Sequence, residues 1–133
     1  MRILLDANCL LVSIPSRSKH RLVFDSFLDK KFSLIISNEI LSEYMEILSQ
    51  KFSHVVSIDI AEILLSSGNV EKCEVYYRWN LIRNDADDNK YVDCAVAVNA
   101  DFIVTNDRHF DILKKIEFPK IKIISLDEFM KML

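Results

Sequence analysis

The chain has 133 residues, half of them hydrophobic and 28% charged, which predicts a single globular domain over residues 1–133. Its one glycine, Gly68, excludes the glycine-rich loops that hold phosphates in P-loop and dinucleotide-binding proteins, because those loops need several glycines. The formal net charge of −3 at pH 7 excludes a polycation, so any binding of nucleic acid would need a local basic surface or metal ions.

The first half of the chain alternates predicted strands with predicted helices. Short apolar runs predict the strands, and apolar residues at helical spacing predict the helices. These elements are strands at 2–5 and 32–36 and helices at 19–30, 39–51 and 58–67. Ser37 or Asn38 is expected to cap the second of these helices, and Gly68-Asn69 to end the third in a left-handed conformation.

The second half continues the alternation. Its elements are a short strand near Glu74-Val75-Tyr76, strands at 102–105 and 121–124, and helices at 87–98, 108–115 and 126–132. Asn99 is expected to end the first of these helices, and Ser125 with Glu128 to form a capping box at the start of the last. Alternation of this kind predicts an α/β fold, a three-layer α/β/α sandwich with a mainly parallel central sheet.

Two acidic residues stand where predicted strands end. Asp6 follows Ile3-Leu4-Leu5, and Asp107 comes soon after Phe102-Ile103-Val104. Ligands of parallel α/β sheets bind beyond the carboxyl ends of the strands, so both residues are candidate ligands of a hard metal ion. Each of them, taken alone, is also explained as the cap of a turn or a helix.

Further acids lie on two predicted helices. Glu43 borders the apolar stripe of its helix and could reach the sheet edge, although most glutamates in such positions are solvated. Asp88 falls near the centre of the buried face of its helix, where a carboxylate is costly unless it is paired or metal-bound. Asp93 lies roughly 140° round that helix and is expected at the periphery. Asp85 and Asp87 are assigned to the helix start, where acids favour the positive end of the dipole.

Four segments of the chain resemble, in their order and spacing, the motifs of the PIN domain, a metal-dependent ribonuclease fold. They are Ile3-Leu4-Leu5-Asp6-Ala7-Asn8, Ser37-Asn38-Glu39-Ile40-Leu41-Ser42-Glu43-Tyr44, Asp87-Asp88-Asn89-Lys90-Tyr91-Val92-Asp93-Cys94-Ala95 and Ala100-Asp101-Phe102-Ile103-Val104-Thr105-Asn106-Asp107. The resemblance covers nearly the whole chain and is strongest to the VapC-like toxins of bacterial and archaeal toxin–antitoxin pairs. The family often has Thr at the position of Ala7 and Gly at that of Asn106, and neither difference removes an acid.

The resemblance implies a function and a set of site residues. It matches the catalytic, metal-binding acids of the family to Asp6, Glu43, Asp88 and Asp107, and its supporting positions to Asn8, Ser37, Asp93 and Thr105. Carboxylate ligands favour Mg²⁺ or Mn²⁺. The implied reaction is hydrolysis of RNA phosphodiester bonds, and the implied partners are a cognate antitoxin and a second copy of the chain in a homodimer.

Contacts with an RNA substrate are less well specified. The basic residues near the two strand-end acids are Arg17, Lys19, Arg21 and Arg108, which could touch phosphates. A solvated helix face explains the first three equally well. His109 is expected to be an ordinary surface histidine. Tyr76, Tyr77 and Trp79 could stack a base, but packing in the core is the favoured interpretation.

Other classes of protein fit less well. The odd number and wide spacing of Cys9, Cys73 and Cys94 indicate reduced thiols in a cytoplasmic protein. Neither a signal peptide nor a membrane span is expected, because the apolar start is broken at Asp6 and no apolar run approaches about 20 residues. Asn8 stands where a haloacid-dehalogenase-like phosphatase needs a second Asp, and the adjacent acids of a receiver domain are not evident. A catalytically silent PIN-fold interaction module and an RNA-processing nuclease that is not a toxin remain as alternatives.

Overall fold

The computed structural model describes residues 1–82 and 86–133. Within these residues, five strands form one sheet: β1 Arg2–Leu5, β2 Ser33–Ile36, β3 Val70–Lys72, β4 Phe102–Val104 and β5 Ile123–Ile124. The strand order is β3-β2-β1-β4-β5, and all four pairings are parallel. The predicted α/β class with a parallel central sheet is therefore confirmed.

The helices of the described residues cover the two faces of this sheet. They are α1 Ala7–Ser13, α2 Arg21–Leu28, α3 Asn38–Lys51, α4 His54–Ser66, α5 Ala86–Val98, a 3₁₀ helix Arg108–Lys115 and α6 Leu126–Met130. The chain runs outward from β1 to β3 and then returns to the other side of β1. Because crossovers between parallel strands are right-handed, this reversal puts α5 on the face opposite the earlier crossover helices. The fold is the predicted three-layer sandwich.

The core lies along the central strands. Ile3, Leu4, Ile35, Ile103 and Val104 have no exposed surface. A strand covered on both faces needs a continuous apolar run rather than an alternating one, and these strands have it. Burial of each such side chain stabilises the fold by about 1.5–3 kcal/mol, and the ends of these strands therefore have well-fixed positions.

Several helix ends are confirmed because they depend on local chemistry. Ser37 caps α3, and its Oγ accepts a hydrogen bond from the Ile40 amide at 3.2 Å. Ser125 and Glu128 form the expected capping box of α6. Asn99 follows α5 with a φ of 52°, the left-handed conformation expected there.

The helices α1 and α4 differ from expectation. No helix was predicted directly after Asp6, where α1 begins at Ala7. The helix α4 begins at His54 rather than at residue 58, because Ser53 caps it through a hydrogen bond from the Val56 amide at 3.1 Å. The left-handed stop predicted at Gly68-Asn69 is wrong: α4 ends at Ser66, Ser67 after it is extended, and neither Gly68 nor Asn69 has a positive φ.

The strand predicted near Glu74-Val75-Tyr76 is also misplaced. β3 is Val70–Lys72, whose residues pair with β2 in the register Leu34 to Val70 and Ile36 to Lys72. The position of this edge strand is set by its partner and not by its own apolar character, which explains the error. Within the described residues, none of the helices has the length and apolar sequence that crossing a bilayer requires.

Candidate functional site

The site lies where the order of the strands reverses. β1 and β4 are neighbours, with Leu5 opposite Val104, although the chain visits β2 and β3 between them. Asp6 follows β1 directly, and its amide donates to the Val104 carbonyl at 3.0 Å. Asp107 lies just beyond β4. Parallel sheets bind ligands in the crevice outside such a reversal, so both acids stand at the expected place.

Thr105 joins these two acids. Its hydroxyl donates to Asp6 Oδ2 at 2.8 Å and accepts the Asp107 amide at 3.0 Å. Thr105 is buried, so water does not compete for these hydrogen bonds. Asp107 also caps the 3₁₀ helix, because its Oδ1 accepts the His109 amide at 2.9 Å. Asp107 can therefore cap the 3₁₀ helix and also lie at the candidate metal site.

Glu43 reaches the same place from α3. Its side chain is 21% exposed, and its Oε1 accepts a hydrogen bond from the Tyr91 hydroxyl at 2.5 Å. The same hydroxyl accepts the Ala7 amide at 3.2 Å, which ties Glu43 to the backbone next to Asp6. Burial, more than any other cause, raises the pKa of Tyr91, so the phenol stays protonated as a donor.

Asp88 enters from α5 and meets Asp107 across His109. His109 Nδ1 lies 3.4 Å from Asp88 Oδ2 and 3.5 Å from Asp107 Oδ1. One ligand atom from each of the three residues falls within 4.8 Å of the others, a spacing that can hold a metal ion. His109 lies at the surface as expected, with a side chain that is 64% exposed, but its contacts with two acids of the site were not expected. The signal that could have found it is its position two residues after Asp107.

The electrostatics of the site call for a cation. Burial, first of all, raises the pKa of Asp6, and the nearby carboxylates of Glu43 and Asp107 raise it further. The hydrogen bond from Thr105 opposes this shift only in part. Carboxylate oxygens with one imidazole nitrogen form a donor set that suits Mg²⁺ or Mn²⁺, and the nitrogen suits Mn²⁺ better. The residues present thus fit a divalent metal ion.

The other residues predicted to support the site divide into two groups. Asn8 lies at the site, where it lines a cavity of about 370 Å³ with Asp6 and Asp107. Ser37 and Asp93 line a second cavity of about 340 Å³. Ser37 is occupied as the cap of α3, and Asp93 Oδ1 accepts the Trp79 amide at 2.9 Å.

The four basic residues predicted as possible RNA contacts differ in their distance from the acids, and three of them precede or begin α2. Arg21 Nε lies 2.9 Å from Asp25 Oδ1 on the same helix, and its guanidinium lies 5.0 Å from the centre of the Phe24 ring. The Arg21 side chain is 27% exposed and also donates to the Ile14 carbonyl, so its contacts lie within the protein rather than on a solvated helix face. Arg17 and Lys19 are exposed in the loop between α1 and α2.

Arg108 is the basic residue beside the acids. It is exposed and lines a cavity of about 220 Å³ with Thr105 and Asp107. Of the four basic candidates, it is therefore the one whose position next to a strand-end acid is evident in the structure.

The prediction that Tyr76 and Tyr77 pack in the core is wrong. Their exposed fractions are 88% and 66%, while Trp79 is half-buried between the rings of Tyr77 and Phe118. The described residues after β3 run without regular secondary structure up to residue 82, so these side chains have no layer above them. Asp85, assigned to the start of the next helix, lies outside the described residues.

Two tyrosines and a lysine hold the site together and were not foreseen. The Tyr44 hydroxyl donates to the Leu5 carbonyl, at the end of β1. Tyr44 and Tyr91 are buried on their helices, and because a buried tyrosine needs a partner for its hydroxyl, tyrosines on apolar helix faces could have pointed to these contacts. Lys90 donates to Glu43, and no pattern in the sequence joins these two residues.

Comparisons with known proteins agree with the fold. A family model described as a PIN domain matches residues 2–109. The fold is similar to VapBC2 from Rickettsia felis (TM-score 0.65, 20% identity, 94% of this chain and 98% of that chain). It is also similar to VapBC-1 from nontypeable Haemophilus influenzae (TM-score 0.64, 17% identity, 96% of this chain and 99% of that chain). A third similar structure is VapC20 from Mycobacterium tuberculosis, described as a sarcin-ricin loop cleaving toxin (TM-score 0.61, 14% identity, 82% of this chain and 92% of that chain). No curated protein matches the chain.

Proposed function

We propose that this chain, which belongs to the PIN-domain family, is a metal-dependent ribonuclease that hydrolyses RNA phosphodiester bonds. One observation carries the proposal: four acids from four separate elements are linked by short contacts at the β1–β4 reversal. Glu43 is tied through Tyr91 to the backbone at Ala7, and Thr105 links Asp6 to Asp107. His109 then lies between Asp107 and Asp88. Four unrelated helix caps would not be connected in this way.

We assign Asp6, Glu43, Asp88 and Asp107 as the residues that would hold Mg²⁺ or Mn²⁺. The chemistry that such an ion supplies is Lewis-acid stabilisation of the negative charge that grows on the phosphate and leaving-group oxygens. One carboxylate of this set would orient the attacking water or accept a proton from it.

The neighbouring residues orient this machinery. Thr105 fixes the rotamer of Asp6 through its hydroxyl, and Tyr91 holds Glu43. Asn8 and His20 line the cavity of about 370 Å³ next to Asp6, which gives the RNA backbone a place beside the acids. Arg108, exposed next to Asp107, is positioned to contact a phosphate.

We further propose that the chain is the toxin of a toxin–antitoxin pair, acts in the cytoplasm, binds a cognate antitoxin and forms a homodimer. Support comes from its fold similarity to VapC20, which is described as a toxin, and to two VapBC assemblies. The buried free thiols of Cys9, Cys73 and Cys94 suit a reducing compartment.

The deciding experiment is cleavage of a panel of RNAs by the purified protein with Mg²⁺ or Mn²⁺. We expect Asp6→Asn and Asp107→Asn to lower the cleavage rate by roughly 100-fold or more. Asp59→Asn, an identical change at an exposed acid of α4, is the matched control and should cleave like the wild type. Equal cleavage by wild type and Asp6→Asn would mean a contaminating nuclease.

The same variants separate the alternatives. No cleavage by the wild type on any RNA with either metal ion would favour a catalytically silent interaction module. Expression in bacteria then tests the biological role. Growth arrest by the wild type but not by Asp6→Asn supports a toxin, whereas cleavage in vitro without growth arrest supports an RNA-processing nuclease.

A further inference from the structure

One ammonium group lies within the acidic site. Lys90 Nζ is 2.5 Å from Glu43 Oε2 and 3.9 Å from Asp87 Oδ1. The Lys90 side chain is only 10% exposed, so the ion pair with Glu43 is not a solvent-exposed surface contact. Removing one partner of a largely buried ion pair costs more free energy than removing one partner of a surface pair, because the remaining charge is left uncompensated away from water.

The two oxygens of Glu43 are held by consecutive residues of one helix. Lys90 takes Oε2, and Tyr91 takes Oε1 at 2.5 Å. Consecutive side chains of a helix point about 100° apart, so only a group that approaches between them reaches both. Glu43, coming from α3, is such a group. Each carboxylate oxygen has a second lone pair, so this grip leaves Glu43 able to bind a cation.

Electrostatic repulsion between Glu43 and Asp6 explains why a positively charged side chain is needed at position 90. Glu43 lies near enough to Asp6 to raise the pKa of Asp6 by repulsion. In the absence of a compensating charge, the same repulsion acts on Glu43 and favours rotamers that turn away from Asp6. The ammonium of Lys90 offsets this repulsion at Oε2 and keeps the carboxylate facing the site.

We propose that Lys90 is a positioning residue that holds the Glu43 carboxylate in the orientation required for binding a divalent cation and for RNA cleavage. This inference rests on the proposed function. Lys90 acts through Glu43 by holding Oε2, while the uncharged hydroxyl of Tyr91 donates to Oε1. The consequence is that a single change at Lys90 impairs the metal site although lysine is not itself a ligand.

The test measures Mn²⁺ binding by calorimetry, together with kcat and KM for RNA cleavage. Lys90→Met keeps an unbranched apolar side chain that is one atom shorter and removes the charge. We expect roughly tenfold weaker Mn²⁺ binding and a kcat lowered roughly 10- to 100-fold with little change in KM, as for other residues that orient metal ligands. Lys90→Arg, which retains charge and donors, should recover most of both. Lys51→Met, at an exposed position near the end of α3, is the matched control.

The dependence on Glu43 provides the sharpest readout. In a Glu43→Gln background, Lys90→Met should cause no further loss of Mn²⁺ affinity, because the residue acts only through that carboxylate. Unchanged or tighter Mn²⁺ binding by Lys90→Met overturns the inference, as does a loss that persists in the Glu43→Gln background. A rise in KM alone would instead identify Lys90 as a direct contact to RNA and would also overturn it.

Two further outcomes are distinguishable. If the wild type binds no Mn²⁺, both the proposed function and this inference fail. If the wild type binds Mn²⁺ and Lys90→Met binds it equally well, only the role of Lys90 fails. Circular dichroism establishes whether Lys90→Met folds, and if it does not, Lys90→Gln is tested in its place with the same Mn²⁺ readout and the same criteria.

Discussion

A divalent cation should raise the melting temperature of the protein. Asp6 is buried, and its pKa is raised by burial and by the carboxylates of Glu43 and Asp107. Asp88, Asp107 and His109 each place one ligand atom within 4.8 Å of the others, and Thr105 links Asp107 to Asp6. The folded state therefore presents a site that the unfolded chain lacks, and its occupancy shifts the folding equilibrium.

The size of the effect follows from binding linkage. An ion present at about 100 times its Kd contributes about 2.7 kcal/mol to the free energy of unfolding. For a domain of this length, each kcal/mol corresponds to a shift of about 3–5 °C in Tm. We therefore expect Mn²⁺ at saturation to raise the Tm by about 8–13 °C relative to protein in EDTA.

Thermal melts followed by circular dichroism measure this shift. Asp6→Asn should melt at a higher temperature than the wild type in EDTA, because a buried charge is removed, and should lose more than half of the response to Mn²⁺. Asp59→Asn should behave like the wild type. The reasoning is refuted if saturating Mn²⁺ leaves the wild-type Tm unchanged, or if Asp6→Asn responds as strongly as the wild type.

Three other predictions test separate parts of the site. Because the folded-state pKa of Asp6 is raised above 3.8, the stability that this group contributes is complete below pH 3.8 and is lost as the pH rises through the raised value. Urea unfolding in EDTA should therefore show a weaker loss of stability with rising pH in Asp6→Asn than in the wild type, and parallel curves would contradict this. His109→Ala should weaken Mn²⁺ binding roughly tenfold and Mg²⁺ binding much less, because an imidazole ligand suits Mn²⁺ better; equal losses in calorimetry would exclude the nitrogen as a ligand. Tyr44→Phe should lower the free energy of unfolding in urea by about 1–2 kcal/mol, since it removes the donor to the buried Leu5 carbonyl, and an unchanged value would mean that this hydrogen bond does not stabilise the fold.

Features that depend on near neighbours in the chain could be predicted from the sequence. The runs at residues 2–5, 32–36 and 102–105 became β1, β2 and β4, because an apolar run of strand length is buried on both faces of a parallel sheet whatever surrounds it. The caps at Ser37 and Ser125 are correct because a hydroxyl bonds an amide three residues further along. The positions of Asp6 and Asp107 follow from the same local logic, since both stand at strand ends.

The tertiary structure decided whatever depends on which parts of the chain meet. β3 lies at Val70–Lys72 because β2 supplies the edge to which it pairs, and the exposed Tyr76 and Tyr77 show that an aromatic run is not buried unless a second layer covers it. The contact of Lys90 with Glu43 spans 47 positions, and His109 meets Asp88 only because α5 packs beside the end of β4. Local patterns report which residues prefer burial or a helix end. They do not indicate which charged residues, distant in the sequence, come into contact in the fold. A cluster of interacting charges such as this site depends on those contacts.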